Sequence, residues 1–127
     1  MKLACIALGG AAGALLRYGM GGAVQRFSGG VFPWGTMFVN LAGSFLIGLL
    51  AAMLAGSTVS DNVRAMVLIG LLGAFTTFST FSYESVKLLQ DRQHVLALVN
   101  VLASCAAGLA MVLAGFATAR WLGNMLK

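Results

Sequence analysis

Residues 70–82 read GLLGAFTTFSTFS and lie inside a span that is otherwise apolar. The segment combines two glycines, five hydroxyl side chains and three phenylalanines. Glycine and paired β-branched threonines are poor helix formers, so we expect the helix to break between Gly73 and Thr77. A break within hydrocarbon leaves backbone polar groups unpaired, which is costly unless protein, water or an ion satisfies them. The break must therefore lie at a buried interface or line a polar path.

The composition places the chain in a membrane. Of its 127 residues, 60% are hydrophobic and only 9% are charged, whereas soluble domains carry about 25% charged residues. Apolar spans occur at approximately residues 3–22, 33–56, 63–86 and 94–122, and each can hold the roughly 20 apolar residues that cross a bilayer. We predict one all-α integral membrane domain over residues 1–127, with four transmembrane helices of which the third is broken. A cleaved signal peptide at the first span is disfavoured, because Arg17 occupies the place of a cleavage region.

Several classes of function are excluded by what the chain contains. Cys5 and Cys105 fall inside apolar spans, and His94 has no partner at ligand spacing, so neither a disulfide framework nor a side-chain metal site is indicated. The eight cations are scattered singly, which argues against nucleic-acid binding. The sequence shows no carboxylate pair, nucleophile–base set or phosphate loop, so we do not expect an enzyme.

The positive charges are balanced between the two sides of the membrane. Four spans place the two termini and the second loop on one side, with Lys2, Arg64, Arg120 and Lys127. The opposite side carries Arg17, Arg26, Lys87 and Arg92. An excess of Lys and Arg on one side normally sets orientation. The balance favours insertion in both orientations and pairing as an antiparallel dimer, and the alternative is a single orientation set by other features.

Individual polar residues within the spans are candidates for function. Asn40 lies near mid-membrane, where a single buried Asn is typical of a hydrogen bond between helices. Arg17 is costly within a span and is a functional candidate, although its side chain can also extend to the interface. Glu84 is the acid near the end of the third span and a possible partner for Arg17 or for Lys87. Asn100 and Ser104 form a polar stripe on the fourth helix.

The phenylalanines after the predicted break suggest an anion path. Phe78 and Phe81 are three residues apart and project from one face of a helix. An aromatic ring has a positive edge, so two edges aimed into a narrow path would attract an anion without offering a full charge. Ser79, Thr80 and Asn40 would add hydrogen-bond donors. Ordinary packing is the alternative for either ring alone.

Three sequence runs carry a resemblance to a known family. They are GGAAGALLRY at 9–18, GTMFVNLAGSF at 35–45 and GLLGAFTTFSTF at 70–81. These runs resemble the Fluc (CrcB-type) bacterial fluoride channels, and the match extends over all four spans in order. The resemblance implies a multi-pass protein of the bacterial inner (plasma) membrane that conducts fluoride passively and lowers fluoride toxicity. It also implies an antiparallel, dual-topology homodimer with two pores in the lipid bilayer.

The resemblance also implies roles for individual residues. The positions assigned to the fluoride path are Phe78, Phe81, Asn40, Ser79, Thr80, Ser104 and Arg17. The backbone carbonyls of Gly73 and Thr76, contributed by both subunits, would hold a structural sodium ion (Na+) at the dimer centre.

Two other classes remain as alternatives. A small dual-topology, proton-coupled drug exporter also has four helices, but it needs a membrane-embedded carboxylate. The first span offers Arg17 and no acid. A non-transporting membrane subunit would explain the faces of small residues such as Gly9 and Gly13, but it leaves the segment 70–82 without a purpose.

Overall fold

The described chain is helical throughout, and no strand occurs among residues 1–125, which are the residues that this computed structural model describes. The helices are α1 (Lys2–Ser28), α2 (Trp34–Ala55), α3 (residues 61–75), α4 (Phe78–Gln90) and α5 (His94–Met125). Helices α3 and α4 together form one interrupted span, Asp61–Gln90, and each of the other three is long and apolar enough to cross a membrane. The prediction of an all-helical membrane protein with four spans is confirmed.

Helix α1 is longer than the sequence suggested. It continues to Ser28, whereas the predicted span ended near Gly22. The reason is a close approach of α1 to α2, because a Cβ atom at Gly35 would overlap the carbonyl oxygen of Gly21. Gly21 therefore serves helix packing instead of ending the helix. The remaining connection is short, and it turns at Gly29 and Gly30, which have φ of 64° and 75°.

The side chain of Gln25 closes this connection. Its Nε2 donates to the carbonyl of Phe32 over 3.0 Å, and its Oε1 accepts from the N–H of Gly35 over 3.0 Å. One amide side chain therefore satisfies a loop carbonyl and an amide of the first turn of α2, which no helical partner can reach.

Helix α3 is composite. It begins α-helically at Asp61–Ala65, widens to a π-helical segment at Met66–Leu71 and returns to α-helix at Leu72–Phe75. The span begins at Asp61 and ends at Gln90, a few residues outside the predicted limits of 63 and 86. The wide segment packs against glycines of α1. A Cβ at Gly9 would overlap the carbonyl oxygen of Met66, and one at Gly13 would overlap that of Leu71. These glycines allow the backbones to touch.

The helices pack as two principal pairs, α2 with α5 and α1 with α3, and α4 packs mainly against α5. Small residues again allow close packing in the pair α2 and α5, because a Cβ at Gly48 would overlap the carbonyl oxygen of Val112. The tight turn between α4 and α5 places Arg92 in the left-handed region, with φ of 58°. The interrupted span is thus held between α1 and α2 in its first half and by α5 in its second half.

Candidate functional site

The third span breaks at two threonines. Helix α3 ends at Phe75, and Thr76 (φ −84°, ψ 159°) and Thr77 (φ −151°, ψ 116°) are extended. Helix α4 then begins at Phe78. The break lies within the predicted range Gly73–Thr77, and the chain crosses it with extended backbone at membrane depth.

Asn40 of α2 satisfies the backbone of the break. Its Nδ2 donates to the carbonyl oxygen of Thr77 over 3.0 Å, and its Oδ1 accepts from the N–H of Thr77 over 2.7 Å. These are the two hydrogen bonds, one donated and one accepted, that Thr77 would form with the backbone of a neighbouring strand. The amide retains one N–H, because Nδ2 carries two hydrogens and Thr77 takes one. Asn40 is thus a structural partner of the break with a donor to spare.

A cluster of hydroxyls begins helix α4. Thr77 is its N-cap, and the Thr77 Oγ1 accepts from the N–H of Thr80 over 3.2 Å. The same Oγ1 donates to the Thr80 Oγ1 over 3.0 Å and lies 3.4 Å from the Oγ of Ser79. The structure therefore brings the predicted residues Ser79 and Thr80 together around Thr77, which our sequence analysis did not assign to the path. A threonine directly before the first helical residue is the signal that would have indicated a cap.

The break removes the usual donors of several backbone carbonyls. In a continuous α-helix the N–H of Thr77 bonds the carbonyl of Gly73, and the N–H of Thr80 bonds the carbonyl of Thr76. Here those two amides donate to the Asn40 Oδ1 and to the Thr77 Oγ1. Gly73 and Thr76 are therefore two of the residues whose carbonyl oxygens are released. The carbonyls of Ala74 and Phe75, at the end of α3, also lack a helical donor among the described residues.

The released oxygens are ligands of the type that a hard cation takes. Gly73 and Thr76 line a cavity of about 270 Å³ together with Asn40, Ser44 and Phe78. Gly73 is exposed on the surface of the protomer. Within residues 1–125 no group of three or more His, Cys, Asp or Glu side chains is placed to hold a metal ion. A cation here would depend on backbone oxygens.

A second, larger cavity of about 530 Å³ lies on the other side of Thr77, which lines both cavities. The charged residues that line it are Arg17, Arg26 and Glu84. Thr80 also lines it. Arg17 is half-buried within α1, so the predicted arginine faces this cavity and does not lie against lipid alone.

Glu84 has a different partner from the one that its position suggested. Its Oε1 accepts from the Thr36 Oγ1 over 2.9 Å, and its Oε2 is buried without a hydrogen-bond partner among the described residues. Arg17 therefore does not pair with it. Glu84 and Thr36, which our sequence analysis did not assign to the site, line the cavity that Arg17 shares.

The two candidate rings are neighbours with very different exposure. The ring centroids of Phe78 and Phe81 are 5.8 Å apart, and the ring planes are inclined at 43°. Phe81 is 9% exposed and Phe78 is 79% exposed. Phe81 thus belongs to the core of the protomer, whereas Phe78 projects from its surface.

Ser104 joins the site only through other residues. Its Oγ donates to the Oδ1 of Asn100 over 3.4 Å, and the Asn100 Nδ2 donates to the Oγ of Ser85 over 2.9 Å. Ser85 in turn donates to the carbonyl of Phe81 over 2.7 Å. The structure thus connects the polar stripe of α5 to the helical turn that carries the buried ring.

The chain is similar to one protein family over nearly its whole length. Residues 4–116 match the model of the family described as CrcB-like protein, Camphor Resistance (CrcB). It is 49% identical over 118 residues to a protein of Geobacter sulfurreducens, covering 92% of this chain and 95% of that one. It is 50% identical to a Magnetococcus marinus protein, and the match covers 82% of this chain and 85% of that one. It is 46% identical to a Chloroflexus aurantiacus protein, and the match covers 97% of this chain and 98% of that one. Each of these relatives bears the name fluoride-specific ion channel FluC.

Proposed function

The chain belongs to the CrcB-like family, and on this premise we propose that it is a passive, fluoride-selective ion channel that lowers cytoplasmic fluoride. The observation that carries the proposal is the helix break in the third span, where a polar strip lies beside two phenylalanine rings. The strip consists of Asn40, Thr77 and Thr80, and the rings are those of Phe78 and Phe81. Polar groups at that depth are costly unless they serve a path or an interface.

The donors of the strip suit fluoride chemically. Fluoride is small and strongly hydrated, so close donors must replace its water as it enters. The free N–H of Asn40, the hydroxyls of Ser79 and Thr80 and the positive edges of the two rings are uncharged donors. Uncharged donors compensate for lost hydration without binding so tightly that the ion cannot leave.

The larger cavity serves as a vestibule in this proposal. Arg17 and Arg26 line it and raise the local concentration of anions. Thr77 and Thr80 line the same cavity, and Thr77 also lines the smaller one. An anion collected near Arg17 thus has hydroxyl groups between it and the rings. Ser104 enters the path through its connection to the turn of Phe81.

The pore is completed by a second copy of the chain in antiparallel orientation. Phe78, Gly73 and Ser79 are all exposed on the protomer, so a path along them is open on one side until another surface covers it. The balanced charges support opposite orientations of the two copies. Lys127, one of the counted cations, lies outside the described residues.

A structural Na+ at the dimer centre fits the released carbonyls. Gly73 and Thr76 supply two oxygens per chain, and two antiparallel copies would supply four. The ion would supply positive charge that offsets the hydrogen bonds lost at the break. We assign the ion a structural role at the break: it would lie beside Asn40 and Phe78 in the smaller cavity without itself being transported.

The chain is a multi-pass membrane protein with four spans, and we place it in the bacterial inner membrane. There a passive channel exports fluoride that has entered as the neutral acid and dissociated in the cytoplasm.

Fluoride efflux from liposomes tests the proposal. Purified protein in vesicles loaded with potassium fluoride should release fluoride electrogenically when valinomycin provides a potassium path, and the rate should not depend on a proton gradient. An absolute requirement for a proton gradient would defeat the channel.

One observation favours the proton-coupled exporter as a second candidate, because Glu84 is a carboxylate within the third span with an unpartnered oxygen. Proton-driven uptake of a cationic dye that is lost in E84Q would support the exporter.

A further inference from the structure

Asn100 is a buried polar residue that the proposed path does not use. Its side chain is 1% exposed, which makes it one of the most completely buried side chains of the described chain. A buried amide is tolerated only when its donors and acceptor are bonded. Asn100 has partners on both sides, Ser85 on α4 and Ser104 on its own helix.

The hydrogen bonds of Asn100 have a defined direction. The chain of bonds ends at the carbonyl oxygen of Phe81, which can only accept. The Ser85 hydroxyl has one hydrogen and donates it in a hydrogen bond to that oxygen over 2.7 Å. Its Oγ must therefore accept from the Asn100 Nδ2. The Asn100 Oδ1 then faces Ser104 and accepts a hydrogen bond from its hydroxyl. Each group in the chain thus has one role that no rotation of a hydroxyl reverses.

Helix α4 depends on this chain of bonds because it starts immediately after the break. The amide of Thr80 bonds the cap residue Thr77 and not a carbonyl of α3, so helical continuity does not orient the first turn. α4 packs mainly on α5. Its buried residues Phe81, Ser85 and Leu88 lie on one helical face. Asn100 meets the middle of that face.

We propose that Asn100 is a positioning residue for the ion path: through Ser85 it fixes the turn of α4 that carries Phe81, and it orients the Ser104 hydroxyl. The inference rests on the proposed function, since it assigns Asn100 to fluoride passage along Phe81. Asn100 itself does not contact the ion. Loss of the Asn100 side chain leaves the Phe81 ring in the core, but the angle at which the ring edge faces the path is no longer fixed.

A purely structural role makes a different prediction. If Asn100 only holds two helices together, its loss reduces the fraction of folded protein, and every channel that still folds conducts at the normal rate. If it positions Phe81, folded channels conduct more slowly. The number of active channels and the rate per channel must therefore be measured separately.

Vesicles that contain at most one channel each separate the two quantities. The released fraction of fluoride counts active channels, and the release rate measures conduction per channel. We expect Asn100→Leu, which keeps the branched shape with a larger volume and removes both bonds, to lower the rate about tenfold. Ser85→Ala should lower it by a similar factor, and Ser85→Thr, which keeps the hydroxyl, should restore the rate.

Thr118→Ala is the matched control. Thr118 donates to the carbonyl of Ala114 over 2.8 Å from an exposed position on α5. It forms the same kind of bond to its own helix as Ser85 does, but its hydroxyl connects to no second helix within the described chain. Both its rate and its released fraction should equal those of the wild type. A normal rate per channel in both Asn100→Leu and Ser85→Ala would overturn the positioning role.

The experiments also give an answer if Asn100→Leu does not fold or if the wild type releases no fluoride. If Asn100→Leu does not fold, Ser85→Ala decides the question, because it removes one oxygen without adding volume. The ¹⁹F resonance of 4-fluorophenylalanine at position 81 provides a readout independent of flux: it should shift in Ser85→Ala and not in Thr118→Ala, and an unshifted resonance would argue against positioning. Absence of fluoride release from the wild type would contradict the proposed function and leave this resonance test to stand alone.

Discussion

The side-chain amide of Asn40 forms with Thr77 the two hydrogen bonds that a neighbouring peptide group would form, at 3.0 Å and 2.7 Å. The two residues are 37 positions apart in sequence. Asn40 lies on α2, and Thr77 lies in the break between α3 and α4. A residue of α2 thereby stabilises the extended backbone between α3 and α4. The geometry of the break consequently depends on a helix that is not itself broken.

Replacing Asn40 by Asp tests this dependence. The carboxylate has the size of the amide but no N–H group, so it cannot donate to the carbonyl of Thr77, and it places an acceptor against that oxygen. Leaving one buried polar group unsatisfied costs about 1–3 kcal/mol. We expect fluoride efflux to fall about tenfold or more, measured in liposomes at equal protein content. Asn124→Asp, an exposed position near the end of α5, is the matched control, and equal efflux in both variants would contradict the role of Asn40.

Phe78 and Phe81 should respond differently to replacement by isoleucine. Both variants lose the positive ring edge, so both should conduct more slowly if the rings contact the anion. Phe81 is 9% exposed and Phe78 is 79% exposed, so only Phe81→Ile should also lower the stability of the protomer, by about 1 kcal/mol. Efflux and the thermal midpoint on size-exclusion chromatography measure the two effects. Normal efflux in both variants would return the rings to packing roles.

Gly43 should be required at the break for steric reasons. A Cβ at this position would overlap the Cγ2 of Thr76 and come within 3.2 Å of the Phe75 ring. We expect Gly43→Ala to displace Thr76 and to reduce efflux. Gly123→Ala is the matched control, because a Cβ at Gly123 meets nothing within 4 Å. A Gly43→Ala channel with normal efflux would show that the break tolerates the displacement.

The sequence predicts those features that depend on neighbouring residues. The four spans follow from composition, and the break between Gly73 and Thr77 follows from the poor helix propensity of adjacent residues. The predicted end of α1 was wrong because it also rested on neighbouring residues. Glycines at 21 and 22 indicate a helix end locally, but Gly21 contacts Gly35 at a helix crossing and the helix continues to Ser28.

Features that depend on distant pairing were beyond sequence reasoning. Asn40 was identifiable as a polar residue, but its partner Thr77 was not. Glu84 was considered a partner for Arg17, and the fold brings it to the Thr36 hydroxyl instead. Asn100 and Ser104 were recognised as a polar stripe, yet the target of that stripe depends on how two helices face each other.

Orientation offers a test of the antiparallel dimer. Several lysines added to the C-terminus should force one orientation, because the balanced charges no longer compete. A protein forced into one orientation should lose activity, and coexpression with a copy forced the opposite way should restore it. Adding the same number of glutamines is the control for tail length. Full activity of the singly oriented protein would exclude an antiparallel requirement.

Sodium should be needed for the folded channel and absent from its current. The carbonyls of Gly73 and Thr76 have lost their helical donors to Asn40 and Thr77, so a bound cation would restore their electrostatic balance. Efflux and dimer stability should be highest in sodium. Potassium is too large for a cage built on close carbonyls, and lithium is more tightly hydrated, so both should support less activity. A series in sodium, lithium, potassium and choline measures this, and the reversal potential should not move with the sodium gradient.

The Gly43→Ala variant links the sodium requirement to the break. Displacement of Thr76 would also displace its carbonyl oxygen, so this variant should need more sodium than the wild type for the same efflux. A cation that merely screens surface charge would show no such change, because Gly43 is buried and an added methyl group alters no charge. Equal efflux in sodium and choline for the wild type would remove the cation site. An unchanged sodium requirement in Gly43→Ala, with efflux reduced, would place the cation away from Thr76.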